Sequence, residues 1–260
     1  MKSSVIVTTY NSSNSIFLIL RNLLSVINYT DEIIIVDDGS KDETTSIIEK
    51  IKDKRLKLIK VKHIGRAKAL NIAIQNSSGE IIFINDSDDL SNNTRIKDSL
   101  NLISNGYDAV FGQGVIFDDF KIENIKLVLN QLDIKNKNIK ENISILKDKT
   151  LFKTLNLHHS SLAIKKEKLL KIGSYNEELD ICIDLDLYYR FLMNKLNVCI
   201  SNKKFIARYY GKTRFYSNYP SKKYAKNLLK LRAKYRKILR PPLFTLIYDL
   251  KIFLENFLIK

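Results

Sequence analysis

Asp86-Ser87-Asp88 sets two carboxylates two residues apart, directly after the apolar run 81–84. In extended chain, alternate side chains point the same way. Two carboxylates on one side repel unless a cation neutralises them. Hard oxygen ligands suit Mg²⁺ or Mn²⁺, and few protein ligands leave room for phosphate oxygens. One reading is therefore a metal–diphosphate site. The other is that the acids shape a turn and cap a helix starting near Asn93. A second acidic pair, Asp37-Asp38, ends the apolar run before it. Asp38 has the chemistry to accept an N–H from a nucleobase edge, with Tyr10 stacking on the ring and Thr8 close to it. Alternatively, Asp37 and Asp38 only form a turn with Gly39.

The flanking elements decide whether these groups can meet. Residues 4–9, 31–36, 56–61 and 81–84 are short runs rich in β-branched residues, the pattern of buried strands. Between them, 16–27, 40–50 and 66–75 have helical character. Ser12 and Ser13 offer N-caps to the first helix, and Ser40-Lys-Asp-Glu43 fits a capping box for the second. Alternating strands and helices imply right-handed crossovers and a doubly wound α/β sheet. Ligands of such sheets sit beyond the carboxyl ends of the strands. That rule brings Thr8 to Asn11, Asp37-Asp38 and Asp86 to Asp89 to one rim. Neither Gly-x-Gly-x-x-Gly nor Gly-x-x-x-x-Gly-Lys-Ser/Thr is present, which disfavours dinucleotide and P-loop sites.

Composition bounds the rest. With 260 residues, 45% hydrophobic and 28% charged, the chain has a globular composition that excludes extensive disorder. Cys182 and Cys199 cannot make a disulfide framework or a cysteine zinc site. They fit a reducing, cytoplasmic setting with both thiols buried. The apolar stretch 243–259 is broken by Asp249, Lys251 and Glu255 and makes a poor membrane span. Net charge is +16, yet residues 221–240 hold nine Lys/Arg and no acid. Within that segment Tyr224, Leu228, Leu231, Tyr235 and Ile238 recur at helical spacing. Pro241-Pro242 ends this cationic amphipathic helix and a second amphipathic helix follows. Its expected partner is the anionic lipid of the inner leaflet; the alternative is a solvated helix packed on the body.

The chain resembles a family 2 glycosyltransferase of the GT-A fold. The matching segments are Val5-Ile-Val-Thr-Thr-Tyr-Asn11, Ile34-Ile-Val-Asp-Asp-Gly-Ser40, Gly65-Arg-Ala-Lys-Ala-Leu-Asn71, Gly79-Glu-Ile-Ile-Phe-Ile-Asn-Asp-Ser-Asp-Asp89, and Gly173-Ser-Tyr-Asn-Glu177 ahead of Asp184-Leu-Asp186. The resemblance runs from about residue 3 to 192. It implies a mostly parallel, Rossmann-like sheet flanked by helices. It also implies a domain over 1–212, with a nucleotide-sugar half (1–106) and an acceptor half (107–212), ahead of a basic helical tail (213–260). Thr8, Tyr10 and Asp38 would hold the nucleoside, usually uridine. Arg66 would approach the donor phosphates. Asp86 and Asp88 would be the Asp-x-Asp pair, with Asp88 the main ligand of Mn²⁺ or Mg²⁺ and Asp86 nearer the ribose or metal. Asp184 would be the catalytic base.

Two features depart from the common pattern. Ile183 replaces the Glu of the family's Glu-Asp pair, and Leu70 stands where many members have Arg, although the Ala-Leu-Asn version also occurs in the family; the Gln-x-x-Arg-Trp motif of processive synthases is missing, which argues against polymerisation. The implied activity is an inverting, non-processive transfer from a UDP-sugar to a glycan or lipid-linked acceptor. It would serve bacterial surface polysaccharide or lipooligosaccharide synthesis, in the cytoplasm or peripherally on the cytoplasmic face of the inner membrane. A sugar nucleotidyltransferase is a rival reading, but its usual Gly-rich N-terminal loop is missing. A non-enzymatic nucleic-acid binder would explain the tail but not the acidic rim, so no nucleic-acid partner is expected.

The second half carries fewer signals. Residues 108–117 suggest a strand, and the Asn/Lys-rich stretch to about Lys140 reads as a surface insertion. Residues 158–164 read as another strand, on which one of His158 and His159 has the place to lie beside the donor sugar or acceptor. Residues 184–194 look helical, and Asp186 and Arg190, four apart, can pair.

Overall fold

A strand buried on both faces must send alternate side chains into two separate cores. The computed structural model shows this sorting; it describes residues 1–27, 32–137, 140–147, 151–152, 157–210 and 221–258. The first half runs β1 (Ser3–Thr9), α1 (Ile16–Val26), β2 (Glu32–Asp37), α2 (Thr44–Glu49), β3 (Leu56–Lys60), α3 (Arg66–Gln75), β4 (Ile81–Asp86), β5 (Asp89–Ser91) and α4 (Arg95–Ser104). It continues with β6 (Ala109–Phe117), α5 (Ile122–Lys137), β7 (Ile143–Ile145), β8 (Ala163–Lys165), α6 (Lys166–Lys171), α7 (Ile183–Met193), β9 (Val198–Tyr209), α8 (Ser221–Leu239) and α9 (Leu246–Phe253). Val5, Val7, Ile33, Ile35 and Phe83 face one core, closed by α1 and α4. Ile6, Ile34, Val36, Ile82 and Ile84 face the other, closed by α3, α7 and α8.

One sheet carries the strands in the order β3-β2-β1-β4-β8-β6-β9-β5, with β7 on β9. The β3-β2-β1-β4 half is parallel throughout. Beyond it the sheet is mixed: β8 is antiparallel to both β4 and β6, while β6 and β9 run parallel. This is the expected α/β architecture with flanking helices. Register sets Thr8 opposite Asp86 and Thr9 opposite Asp37, so the polar ends of β1, β2 and β4 share one rim.

Four local expectations change. Ser12 and Ser13 do not cap α1; the Ser12 carbonyl instead accepts the amides of Ser15 and Ile16 in the turn before it. Ser40 does not cap α2 either. Its hydroxyl and amide donate to Asp37, while Asp42 accepts the Thr44 amide and α2 begins at Thr44. Asp37 outcompetes the box because it lies within reach at the strand end. The Asn/Lys-rich stretch, read as a surface insertion, carries a regular helix, α5. Ile125 and Leu132, spaced at two helical turns, are buried, and Asn136 exchanges hydrogen bonds with Lys204 of β9. Residues 158–164 are not a continuous strand: His159 to Ser161 form a single 3₁₀ turn, and β8 follows.

Gly79 sits where β4 is threaded against β1. A Cβ there would lie 2.5 Å from the Ser3 carbonyl carbon and the Ser4 amide nitrogen. Backbone cannot swing aside as a side chain can. Gly79→Ala is expected to lower the urea midpoint at unchanged m-value, by an amount equivalent to about 1–3 kcal/mol.

The tail packs on the body. Leu228, Leu231 and Tyr235 of α8 are buried, and the Tyr235 hydroxyl donates to Asp186 at 2.7 Å. The 212–213 boundary lies outside the described residues. Among the described residues, no helix is long and apolar enough to cross a membrane.

Candidate active site

The rim is held together by short polar links between strand ends. The Asp38 amide donates to the Thr9 carbonyl at 2.8 Å, the Asn11 amide donates to the Ser40 hydroxyl, and the Asn11 side-chain oxygen accepts the Lys41 amide across the β1 and β2 loops. Ser12 and Ser15 reach Ser87, joining the β1 loop to the turn between β4 and β5. Asp38 is buried, and its two oxygens accept the amides of Ile64 at 2.6 Å and Gly65 at 3.1 Å. This pins the 63–65 loop and starts α3 at Arg66. Tyr10 is 39% exposed, with its ring 4.3 Å from that of His63. That leaves an open aromatic ledge beside Asp38.

Arg66 donates to Asp86 and also to His159 Nδ1, 3.1 Å away. A guanidinium only donates, so Nδ1 accepts and the neutral imidazole carries its proton on Nε2. Nε2 lies 2.7 Å from the Tyr175 hydroxyl. Tyr175 is in turn fixed by Asn71, which bonds both its backbone N–H and its carbonyl and also reaches Glu177. The Asn that closes one sequence motif thus clamps the motif a hundred residues later.

Burial and charge separate the acids. Burial alone would raise Asp86, but the Arg66 guanidinium, with Arg208, holds it well below the usual carboxylate range. Asp89 is fully buried. Burial, then the charges of Asp86 and Asp88, push it up to about 8 against the pull of the Ser160 hydroxyl and Arg208. Its carboxyl accepts from Ser160 and from the Tyr209 amide at 3.1 Å. One oxygen from each of Asp86, Asp88 and Asp89 falls within a 4.8 Å cluster. Three hard oxygen donors converging at a strand end fit a divalent cation such as Mg²⁺ or Mn²⁺.

Asp184 stands in the first turn of α7, with its carboxylate accepting the Leu185 amide at 2.9 Å. The residue before that helix, Cys182, adopts a left-handed conformation at φ +57°, and its carbonyl accepts the Asp186 amide. The charges of Arg66, Asp184 and Asp86 all act on the buried Tyr175 phenol. Contacts therefore run from Asp38 through the 64–65 loop, Arg66, Asp86 and His159 to Tyr175, and the charge of Asp184 acts on that phenol. Asp186 is on a different side of α7, buried and bonded to Arg190 at 2.8 Å, so the pairing read from their spacing is present.

Thr8, Tyr10, Asp38, Arg66, Asp86 and Asp88 all lie along the rim or the loops that join it. His159 is the buried member of the histidine pair, whereas His158 contacts Arg208 at 3.1 Å. Asp89, Tyr175 and Arg208 had no assigned role in the sequence. Asp89 could have been found as the third acid of its motif. Nothing local marks Arg208, which enters through the β5–β9 pairing opposite Asp89. Arg95 is equally silent. It is completely buried, and donates to Asn85 at 2.8 Å and to the Ile84 carbonyl at 2.7 Å, which fixes the end of β4.

Comparison with known proteins gives the family and the fold. Residues 4–173 match the model of glycosyl transferase family 2. A glucosyltransferase of Escherichia coli, WfaP, described as UDP-Glc:α-D-GlcNAc-diphosphoundecaprenol β-1,3-glucosyltransferase, is 38% identical over 101 residues, 38% of this chain and 40% of that protein. The poly(ribitol-phosphate) β-N-acetylglucosaminyltransferase TarS of Staphylococcus aureus is 35% identical over 115 residues, 42% of this chain and 20% of that protein. The chain thus spans less than half the length of these two relatives. The crystal structure of TarS residues 1–349 in complex with UDP-GlcNAc superposes with a TM-score of 0.70 at 20% identity, covering 98% of this chain and 73% of that one. At that identity the likeness shows the fold alone. The match over 4–173 covers well over half of the sequence, and the chain belongs to glycosyl transferase family 2.

Proposed function

We propose that this chain is an inverting, non-processive glycosyltransferase that moves a hexosyl or N-acetylhexosaminyl group from a UDP-sugar to a hydroxyl of a glycan or lipid-linked glycan in surface polysaccharide synthesis. The carrying observation is the set of contacts that joins an open aromatic ledge to a three-carboxylate cluster and on to Tyr175, whose phenol feels the charge of the helix-start carboxylate Asp184. Relatives named for transfer from UDP-glucose and of N-acetylglucosamine support the donor class.

In this reading Tyr10 stacks on the uracil, Thr8 lies beside it, and Asp38 accepts from the base edge while holding the 63–65 loop. Arg66 faces the diphosphate. His159 and Tyr175 keep Arg66 oriented, since His159 accepts from it and is itself fixed by the phenol. Asp86 and Asp88, joined by Asp89, would hold Mn²⁺ or Mg²⁺. When bound, such a cation offsets the negative charge that builds on the departing diphosphate. Asp184 takes the proton from the acceptor hydroxyl. That oxygen attacks the anomeric carbon from the face opposite the leaving group, so configuration inverts.

The reading is tested by incubating the chain with a panel of nucleotide sugars, Mn²⁺ and glycan acceptors, and measuring UDP release. Release of UDP with formation of the inverted glycoside is expected. Failure of every donor to bind would overturn it, and pyrophosphate release would point to nucleotidyl transfer. Asp38→Ala removes the acceptor of two loop amides, each charge-assisted bond contributing roughly 1.5–3 kcal/mol. UDP affinity is expected to fall at least about tenfold by calorimetry; an unchanged Kd would remove both roles of Asp38.

A further inference from the structure

The segment after α8 is turned the wrong way round for a helix that covers a core. Leu243, Phe244, Ile247 and Leu250 are 81%, 59%, 64% and 54% exposed, and no residue of α9 is buried. With Phe253 they fall at three- and four-residue spacing and form one apolar stripe facing outward. Asp249 faces in, whereas Lys251 and Glu255 stay exposed and pair with each other. Asp249 is gripped by Arg232, itself 2% exposed on its side chain, and by Arg236 at 2.6 Å. Arg236 also donates to the buried Thr245 at 2.7 Å. Rotating α9 to hide its apolar stripe would strip Asp249 from both guanidiniums and leave a buried arginine without its counter-charge, a costly exchange. The ion pairs therefore hold the stripe outward.

Charge complementarity indicates what covers it. Residues 221–240 hold nine cations and no acid, and Arg232 and Arg236 turn inward to Asp249. Lys237 and Arg240 are exposed within two turns of Leu243, alongside the half-exposed Ile238. An apolar stripe rimmed by cations matches the interface of an anionic bilayer, where aliphatic side chains enter the acyl boundary and Lys/Arg meet the headgroups. Leu228, Leu231 and Tyr235 of α8, by contrast, are buried against the body and are not available to lipid.

We propose that residues 243–253, with the Lys237 and Arg240 rim, form a membrane-docking face that beds into an anionic lipid bilayer. This refines where a lipid-linked acceptor would be met and rests on the transferase reading only for that purpose. The contact itself needs no turnover.

The test is flotation of the 260-residue chain with phosphatidylcholine vesicles, with and without phosphatidylglycerol, at low and high salt. Binding to the anionic vesicles at low salt is expected, weakening as salt screens the rim. The double variant Ile247→Glu/Leu250→Glu should lower the bound fraction at least about tenfold while UDP affinity stays at the parent value, which also shows that it folds. Lys237→Glu/Arg240→Glu should abolish the preference for phosphatidylglycerol. The idea fails if the apolar double variant floats like the parent or if the parent binds no vesicle. It also fails if the chain sediments as a dimer that this variant splits, because the face would then join two copies. Absence of sugar transfer with normal flotation would overturn the transferase reading and leave the docking face standing.

Discussion

Asp184→Asn is expected to lower kcat by about 10²–10⁴-fold, the usual contribution of a positioned general base, with little change in UDP affinity. The reason is geometric as well as chemical. The substitution keeps size and keeps an oxygen to accept the Leu185 amide, now bonded at 2.9 Å, so the first turn of α7 should not move. The amide cannot take a proton. Neither neighbour at the start of α7 can substitute, because Ile183 occupies the preceding position and is buried, and Asp186 is tied to Arg190 and Tyr235. Rate measurement at saturating donor and acceptor, paired with calorimetric UDP binding, separates the two effects. Parent-like turnover would take Asp184 out of the mechanism.

The second large effect is expected from Asp88→Ala. Asp86 is already engaged by Arg66, and Asp89 accepts from Ser160 and the Tyr209 amide. Asp88 is the carboxylate of the cluster that lies on the turn between β4 and β5 itself. Losing it should remove most of the gain in donor affinity that Mn²⁺ confers, on the order of 10²-fold, since a phosphate-bridging cation contributes several kcal/mol. Binding of UDP in the presence of a chelator should barely change, because Tyr10 and Asp38 stand apart from the cluster. Titration of UDP with Mn²⁺ and with chelator reads both quantities. An Mn²⁺ effect as large in the variant as in the parent would move the cation elsewhere.

Arg66 illustrates how far the chain could be read without a structure. Its place after Gly65, at the start of a helix, follows from the motif and from helix periodicity. That its guanidinium lies between Asp86 and His159 does not, because His159 is 93 residues away and was one of two adjacent histidines with equal claims. The single 3₁₀ turn after His158 decides between them, sending His159 inward and leaving His158 to Arg208. Asp38 shows the same division. Its position at a strand end was legible, but its grip on the 63–65 loop depends on the fold of a segment 26 residues on.

The sequence by itself determined the elements whose pattern is local: β-branched runs alternating with amphipathic helices, and acids directly after the strands. A parallel sheet has one carboxyl edge, so those acids had to gather there whatever the side-chain details. Only the tertiary structure decided the partners. An apolar helical stripe suits a protein core and a bilayer equally well, and α8 and α9 carry similar stripes. One turned inward onto the second core. The other was held outward by Asp249 between Arg232 and Arg236, an ion-pair choice made between helices and invisible in either helix alone.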